Sequence, residues 1–283
     1  MAQTASTSRR NRRYLTLVLL VGVLIAGWSW FWDYASGKIA VTLEGWRARE
    51  AASGRIYACG NQSVGGYPFR FEVDCQQASA LFQSGQTPLQ LRAGGVLVAA
   101  QVYDPTLVIA EYHGPLAIGG PDLPADFVVN WKLAQSSVRG TPAAPERADL
   151  VLDKPAVDRV TGGVPQALLR AGHAEIHGRL VGGSVKDNPV IELALQVDGL
   201  TAAAVYPAAA APVDGDILFV LRGLKDFSPK PWAARFRELQ NADGRIEIEK
   251  ARVRQGETLA VGSGMLSLNA DGRLEGQLQV TVA

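Results

Sequence analysis

The sequence predicts a mainly β fold (β-rich α+β): a curved antiparallel meander sheet with two or three helices, preceded by one N-terminal transmembrane helix. Three observations predict it. Residues 15–32 contain no Lys, Arg, Asp or Glu, and Arg9, Arg10, Arg12 and Arg13 stand just before them. Beyond that run, apolar residues recur at every second position in many short segments, the period of a half-buried strand. The 30 glycines and 15 prolines punctuate those segments, as tight turns between strands require.

At 1.5 Å per residue, residues 15–32 extend about 27 Å, close to the ~30 Å hydrocarbon core of a bilayer. The four arginines hold the N-terminus on the cytoplasmic side. The expected layout is therefore a cytoplasmic basic tail at 1–14, a transmembrane signal anchor at 15–32 and an exported β-rich domain at 33–283. An internal break in that domain is allowed near 140–147 or 201–214. The expected location is the inner membrane, crossed once, with the C-terminal domain in the periplasm. A cleaved signal peptide shares the basic start and apolar centre. Two features favour retention: the run exceeds the about 7–15 residues of a signal core, and Trp28, Trp30, Phe31 and Trp32 occupy the place of a small-residue cleavage site.

A net charge of +1 gives no basic footprint for nucleic acid. The two cysteines, Cys59 and Cys75, lie in the exported part and are expected to pair in an oxidising compartment. Closing that loop is worth about 3 kcal/mol on the chain-entropy account. Between them a Gly-Gly-Tyr-Pro turn precedes alternating Phe69, Phe71 and Val73, which fits a hairpin with cross-linked arms. Metal binding by two thiols without a neighbouring His is the weaker alternative.

Residues 38–52 predict an amphipathic helix, with Ile39, Leu43 and Trp46 on one side and Gly54 as its stop. Leu89, Leu91 and Ala93, then Val96 and Val98, form short runs separated by Gly94-Gly95. Residues 106–110 are a continuous apolar run, and Phe127, Val129, Trp131 and Leu133 alternate. Residues 140–145 predict a loop, and Ala148, Leu150 and Leu152 then alternate with Asp149 and Asp153. Residues 164–169 predict a short helix. Ile191, Leu193, Leu195 and Val197 face away from Glu192, Ala194, Gln196 and Asp198. Residues 201–214 predict a loop, because Pro207 and Pro212 break any long helix there. Pro231 opens a helix over 231–240 with Trp232, Phe236 and Leu239 as its apolar stripe. Strands follow at Ile246 and Ile248, Ala251 and Val253, Leu259 and Val261, and Leu266 and Leu268. A hairpin turn at 269–272 leads into the clearest alternation, Leu274, Gly276, Leu278, Val280 and Val282. So few helices cannot cover a sheet of this size. It either curls on itself or leaves an apolar surface open.

The turn Gly65, Gly66, Tyr67, Pro68, Phe69, Arg70 between two cysteines, and the Asp-Gly-Arg-Leu-x-Gly strand at residues 271–276, carry a resemblance. With the anchor, they make the chain resemble the DUF2125 family of uncharacterised bacterial envelope proteins over most of its exported length. The β-rich close is also similar to AsmA-like proteins, whose curved sheets have an apolar inner face and are implicated in lipid handling between membranes. The resemblance therefore implies a β-rich envelope protein and brings no catalytic or binding residues with it. The chain ends at Ala283 on a strand, where related chains run on, so a further helix or strand is expected.

His173-Ala174-Glu175-Ile176-His177 is the one cluster resembling a site. It is not the zinc-protease His-Glu-x-x-His pattern, and its alternating flanks predict a solvated strand face. Gly94-Gly95, Gly162-Gly163 and Gly182-Gly183 lack phosphate-loop spacing and are expected turns. Gly262-Ser263-Gly264 is not a nucleophile elbow and is expected as a kink between strands. Asp149, Asp153 and Asp158 are interrupted by Lys154-Pro155 and fit solvated turns better than a calcium loop. No catalytic residue, metal or cofactor is expected.

What remains is an apolar groove from Ile191, Leu193, Leu195, Val197, Ile246, Ile248, Leu266, Leu268, Leu274, Leu278 and Val280. It would shield acyl chains at about 0.8 kcal/mol per buried CH₂. Membrane lipids are the expected partners. The alternative is a closed core in a structural envelope protein that binds other envelope proteins. Alternation alone does not separate the two.

Overall fold

The computed structural model describes residues 6–83, 87–141, 144–227, 232–269 and 271–283. It opens with one helix, α1 (Ser6–Ala52), about 70 Å long at 1.5 Å per residue. The separate helix expected at 38–52 is the outer part of α1. No proline interrupts residues 33–37, and the single Gly37 costs only about 1 kcal/mol, too little to stop a helix propagating from both sides. Gly54, at φ 76°, ends it, as a left-handed residue after a helix does.

The strands are β1 (Arg55–Ala58), β2 (Asn61–Gly65), β3 (Arg70–Gln76), β4 (Ser79–Phe82), β5 (Leu89–Gln101), β6 (Asp104–Gly119), β7 (Phe127–Asn130), β8 (Leu133–Thr141) and β9 (Ala144–Asp153). There follow β10 (Ala156–Thr161), β11 (Val164–Arg170), β12 (His173–Ser184), β13 (Asp187–Leu200) and β14 (Val213–Arg222). After the helix α2 (Trp232–Asn241) come β15 (Arg245–Gln255), β16 (Thr258–Leu268) and β17 (Leu274–Val282). Among the described residues these 17 strands form one sheet, and their pairings are antiparallel throughout.

The pairings show a simple meander once a crease is recognised. β1 pairs with β4 while β2 pairs with β3, and both β3 and β4 pair with β5. β6 pairs with β7 and β8, which pair in turn with β10 and β9. β10 and β9 pair with β11 and β12. Thus β1/β2, β3/β4, β7/β8, β9/β10 and β11/β12 are halves of single runs bent along one line. Each following strand, through β17, pairs with the next.

Glycine and left-handed residues make the crease. Gln77 and Lys154 have φ 52° and 50°, and backbone bonds continue across it, from Gln77 N to Gly94 O at 2.8 Å and Lys154 N to Gly172 O at 2.9 Å. A Cβ on Gly94 would lie 2.8 Å from the Gly114 carbonyl oxygen. Gly94-Gly95 is therefore the bend inside one strand, not a turn between two.

Other expectations are corrected in the same way. Residues 164–169 form β11, not a helix. Gly162 and Gly163, at φ 59° and 80°, make the two-residue turn that lays β11 on β10, and pairing outweighs helical propensity. Gly182-Gly183 lies within β12 at a register shift, and Gly262-Ser263-Gly264 lies inside β16. Asp149 and Asp153 are in β9 and Asp158 is in β10, so none of them sits in a turn. The 201–214 loop contains a 3-10 turn at Pro207–Ala210 and ends in β14. Of the loop expected at 140–145, residues 140–141 end β8 and residues 144–145 open β9, with Gly140 paired to Pro145; residues 142–143, Pro231 and Ala270 lie outside the described residues.

Alanine at position 94 is expected to force the two strands of the crease apart. Gly94→Ala should lower unfolding stability by about 1–3 kcal/mol. Gly65→Ala, whose Cβ meets nothing within 4 Å, should change it by less than about 0.5 kcal/mol. Urea unfolding of the two detergent-solubilised variants compares them, and equal effects would contradict a tight crease.

Candidate functional site

The register sorts the sheet into two unlike faces. One row runs Phe71, Ala100, Val108, Val138, Ala148, Gly178, Leu193, Phe219, Ile248, Gly264, Leu278, each opposite the next on the neighbouring strand. Beside it runs Val73, Val98, Ala110, Ser136, Leu150, Ile176, Leu195, Ile217, Ala251, Gly262, Val280. Ser136 is the one polar member, and its hydroxyl meets the Tyr112 hydroxyl at 2.8 Å. At ~4.8 Å per strand the rows are about 48 Å long.

Of the eleven groove residues named from the sequence, nine lie in these rows or in the flanking rows of Ile191, Leu221, Ile246 and Leu266 and of Val197, Gly215 and Val253, and Leu268 and Leu274 pair with each other one row beyond Leu266. Sequence reasoning missed Phe71 and Phe219. Their parity with Val73 and with Leu221 was the available signal.

The opposite face is laced with charge. Arg179 bonds Glu192 across β12–β13 at 2.5 Å, Arg222 bonds Glu247 at 2.9 Å, and Lys250 approaches Asp216 at 3.4 Å. Exposed pairs of this kind contribute at most about 1 kcal/mol each. Their role here is to mark the wet side.

The apolar face is largely uncovered. Accessible surface is 18630 Å², against about 11,700 Å² for a compact chain of this mass; part of the excess belongs to α1. Among the described residues, the buried apolar side chains larger than glycine are few: Ala134, Pro155, Ala171, Pro189, Val220 and Leu224. Leu278 and Val280 are 54% and 62% exposed.

Two helices cover the ends of this face. Phe236 and Leu239 of α2 sit over Leu221, Ile246, Leu266 and Leu268, leaving a space of about 110 Å³. The Trp232 side chain lies outside the description. At the other end α1 packs along the first strands. Trp46 stacks on Tyr57 at 4.9 Å and Trp32 on Phe71 at 5.8 Å. Cys59 and Cys75 are bonded, with Cα atoms 5.4 Å apart. The link ties the connection between β1 and β2 to β3 at the crease, and Arg47 Nη2 lies 3.0 Å from Cys59 Sγ.

The turn Gly65, Gly66, Tyr67, Pro68, Phe69, Arg70 docks on the aromatic end of the apolar run. Trp28 Nε1 donates to Pro68 O at 2.9 Å, Trp32 Nε1 to Arg70 O at 3.2 Å, and the Ser29 and Tyr67 hydroxyls meet at 2.9 Å. By length and composition α1 is able to cross a membrane, as a signal anchor or signal sequence. The disulfide points to a location outside the cytoplasm.

The histidine cluster lies on the charged face. His177 places Nδ1 2.7 Å from Asp149 Oδ1 and Nε2 2.7 Å from Glu175 Oε2, while His173 Nε2 reaches Glu175 Oε1 at 2.7 Å. The bonds to Asp149 and Glu175 raise the His177 pKa above its ordinary 6.5. Those from His173 and His177 hold Glu175 below 4.5. Burial works against ionisation of Asp149, but bonds from Arg147, His177 and Ser137 together outweigh it and keep its carboxyl below 3.8. Among the described residues no group of three or more His, Cys, Asp or Glu is placed to hold a metal.

This network has a definite pH dependence. Protonated His177 contributes stability that is fully present below pH 6.5 and lost as pH rises through its higher folded value. Glu175 and Asp149 contribute stability present above 4.5 and 3.8 and lost as pH falls through their depressed values. The melting temperature of wild type should therefore exceed that of His177→Gln most between about pH 4.5 and about pH 6.5 and converge on it at higher pH. A difference that stayed constant to about pH 9 would contradict the charged network.

A family model described as an uncharacterised protein conserved in bacteria (DUF2125) matches residues 32–283. No curated protein and no solved structure matches the chain. The matched stretch begins at Trp32, which stacks on Phe71, and takes in the turn, the disulfide and the whole sheet; the chain belongs to the DUF2125 family.

Proposed function

We propose that this chain is a non-catalytic envelope protein that holds lipid or another apolar ligand against its apolar face, as an AsmA-like groove would. It is tethered once in the inner membrane, with its N-terminus in the cytoplasm and its sheet in the periplasm. The observation that supports this reading is the pair of long apolar rows, over which no second layer lies among the described residues. Water against such a surface is costly at about 25 cal/mol per Å², and an acyl chain laid along the rows relieves that cost without a covalent step. Binding is passive, and release is by exchange with a membrane.

One observation favours a second reading, a structural or partner-binding envelope protein. β17 is exposed along its length and, among the described residues, pairs only with β16, so its free edge can take a strand from another protein. Crosslinking in cells from β17 to a defined protein, with no lipid on the purified chain, would carry that reading instead.

The lipid reading is tested by mass spectrometry of the detergent-extracted full chain and by uptake of a fluorescent phospholipid. Lipid should copurify. Leu193→Asp with Leu278→Asp should reduce uptake about tenfold or more, the loss of a few buried CH₂ groups. Gln277→Asp, opposite Met265 on the other face, should not. Wild-type protein that carries no lipid and takes none up would contradict the proposal.

A further inference from the structure

An apolar recess of about 400 Å³ lies between α1 and the tips of two hairpins. Leu24 and Ile25 of α1 form one side, and Pro68, Phe69, Val102 and Tyr103 form the other. Leu24 is eight residues before Trp32, about 12 Å down the helix axis. The recess therefore opens beside the membrane-crossing part of α1, at hydrocarbon depth. The three bonds from Trp28, Ser29 and Trp32 fix the hairpin tips at that level.

Phe69 and Tyr103 are 66% and 75% exposed. In water two such aromatic tips are a standing cost, whereas at the boundary of a bilayer they are favoured. From the recess the chain leads straight to the apolar face. Phe69 is the turn residue just before β3, whose Phe71 and Val73 share one side and head the long rows.

We infer that this recess is the mouth through which an acyl chain passes from the outer leaflet of the same membrane onto the sheet, with Phe69 and Tyr103 seated in that leaflet. The inference rests on the lipid-binding reading above and adds the entry point. Its occupant is a membrane lipid because one wall of the recess is itself part of the bilayer-crossing helix.

The test uses the full chain reconstituted in vesicles of dioleoyl phosphatidylcholine and phosphatidylglycerol. Benzoylphenylalanine replacing Phe69 should give phospholipid adducts on illumination. The same probe replacing Tyr206, 65% exposed beside the 3-10 turn, should give none. Absence of adducts at 69, or equal adducts at both positions, would overturn the inference. In a second arm, Phe69→Asp with Tyr103→Asp should slow loading of pyrene-labelled phosphatidylcholine from vesicles about tenfold or more, with loading from detergent micelles unchanged. Unchanged loading from vesicles would overturn the mouth and leave lipid binding standing. Failure of the wild type to load from micelles would overturn both.

Discussion

Keeping one side of every strand apolar is the constraint on which the rest of this structure depends. A slip of one residue turns a strand's whole apolar set to the wet side, so each irregularity must be compensated. β15 shows how. Ile246 and Ile248 have one parity and Ala251 and Val253 the other, yet a register shift between Ile248 and Ala251 keeps all four on the apolar face. The shift in β5 between Ala93 and Gly95 sits at the same kind of parity change, from Leu91 and Ala93 to Val96 and Val98. Bulges and the crease are thus how the sheet bends without breaking its rows.

The same constraint explains where the helices go. α1 lies along the first strands through Trp32 and Trp46, and α2 covers the last rows through Phe236 and Leu239. Between them, among the described residues, the apolar rows have no second layer. An ordinary core would cost this sheet nothing in register but would need far more covering chain. The disulfide at the crease and the docked turn at Trp28 and Trp32 then fix the covered end to the long apolar helix α1.

Much of this was legible in the amino-acid order. Period-two alternation gave the strands, and in residues 191–197 and 274–282 it placed the groove residues named there on one side of the sheet. What alternation could not show was continuity across a bend. The parity changes at Gly94-Gly95 and after Ile248 look like separate strands because a bulge leaves no distinctive local signal. Residues 164–169 misled because helical propensity is local while pairing with β10 is not. The extent of α1 past Trp32 was hidden by the polar residues Asp33 and Ser36, which change the helix's surroundings but not its backbone. The partnership of His177 with Asp149, 28 residues away, depends on strand register and has no sequence signature.

The most direct test of an open, continuous apolar face is a cryo-electron microscopy map of the full chain extracted in lipid nanodiscs. The account predicts elongated non-protein density lying along Leu193, Phe219, Ile248 and Leu278, continuous with the recess beside Leu24. A map in which those side chains are packed against a second layer of the same chain, with no room for a ligand, would contradict it.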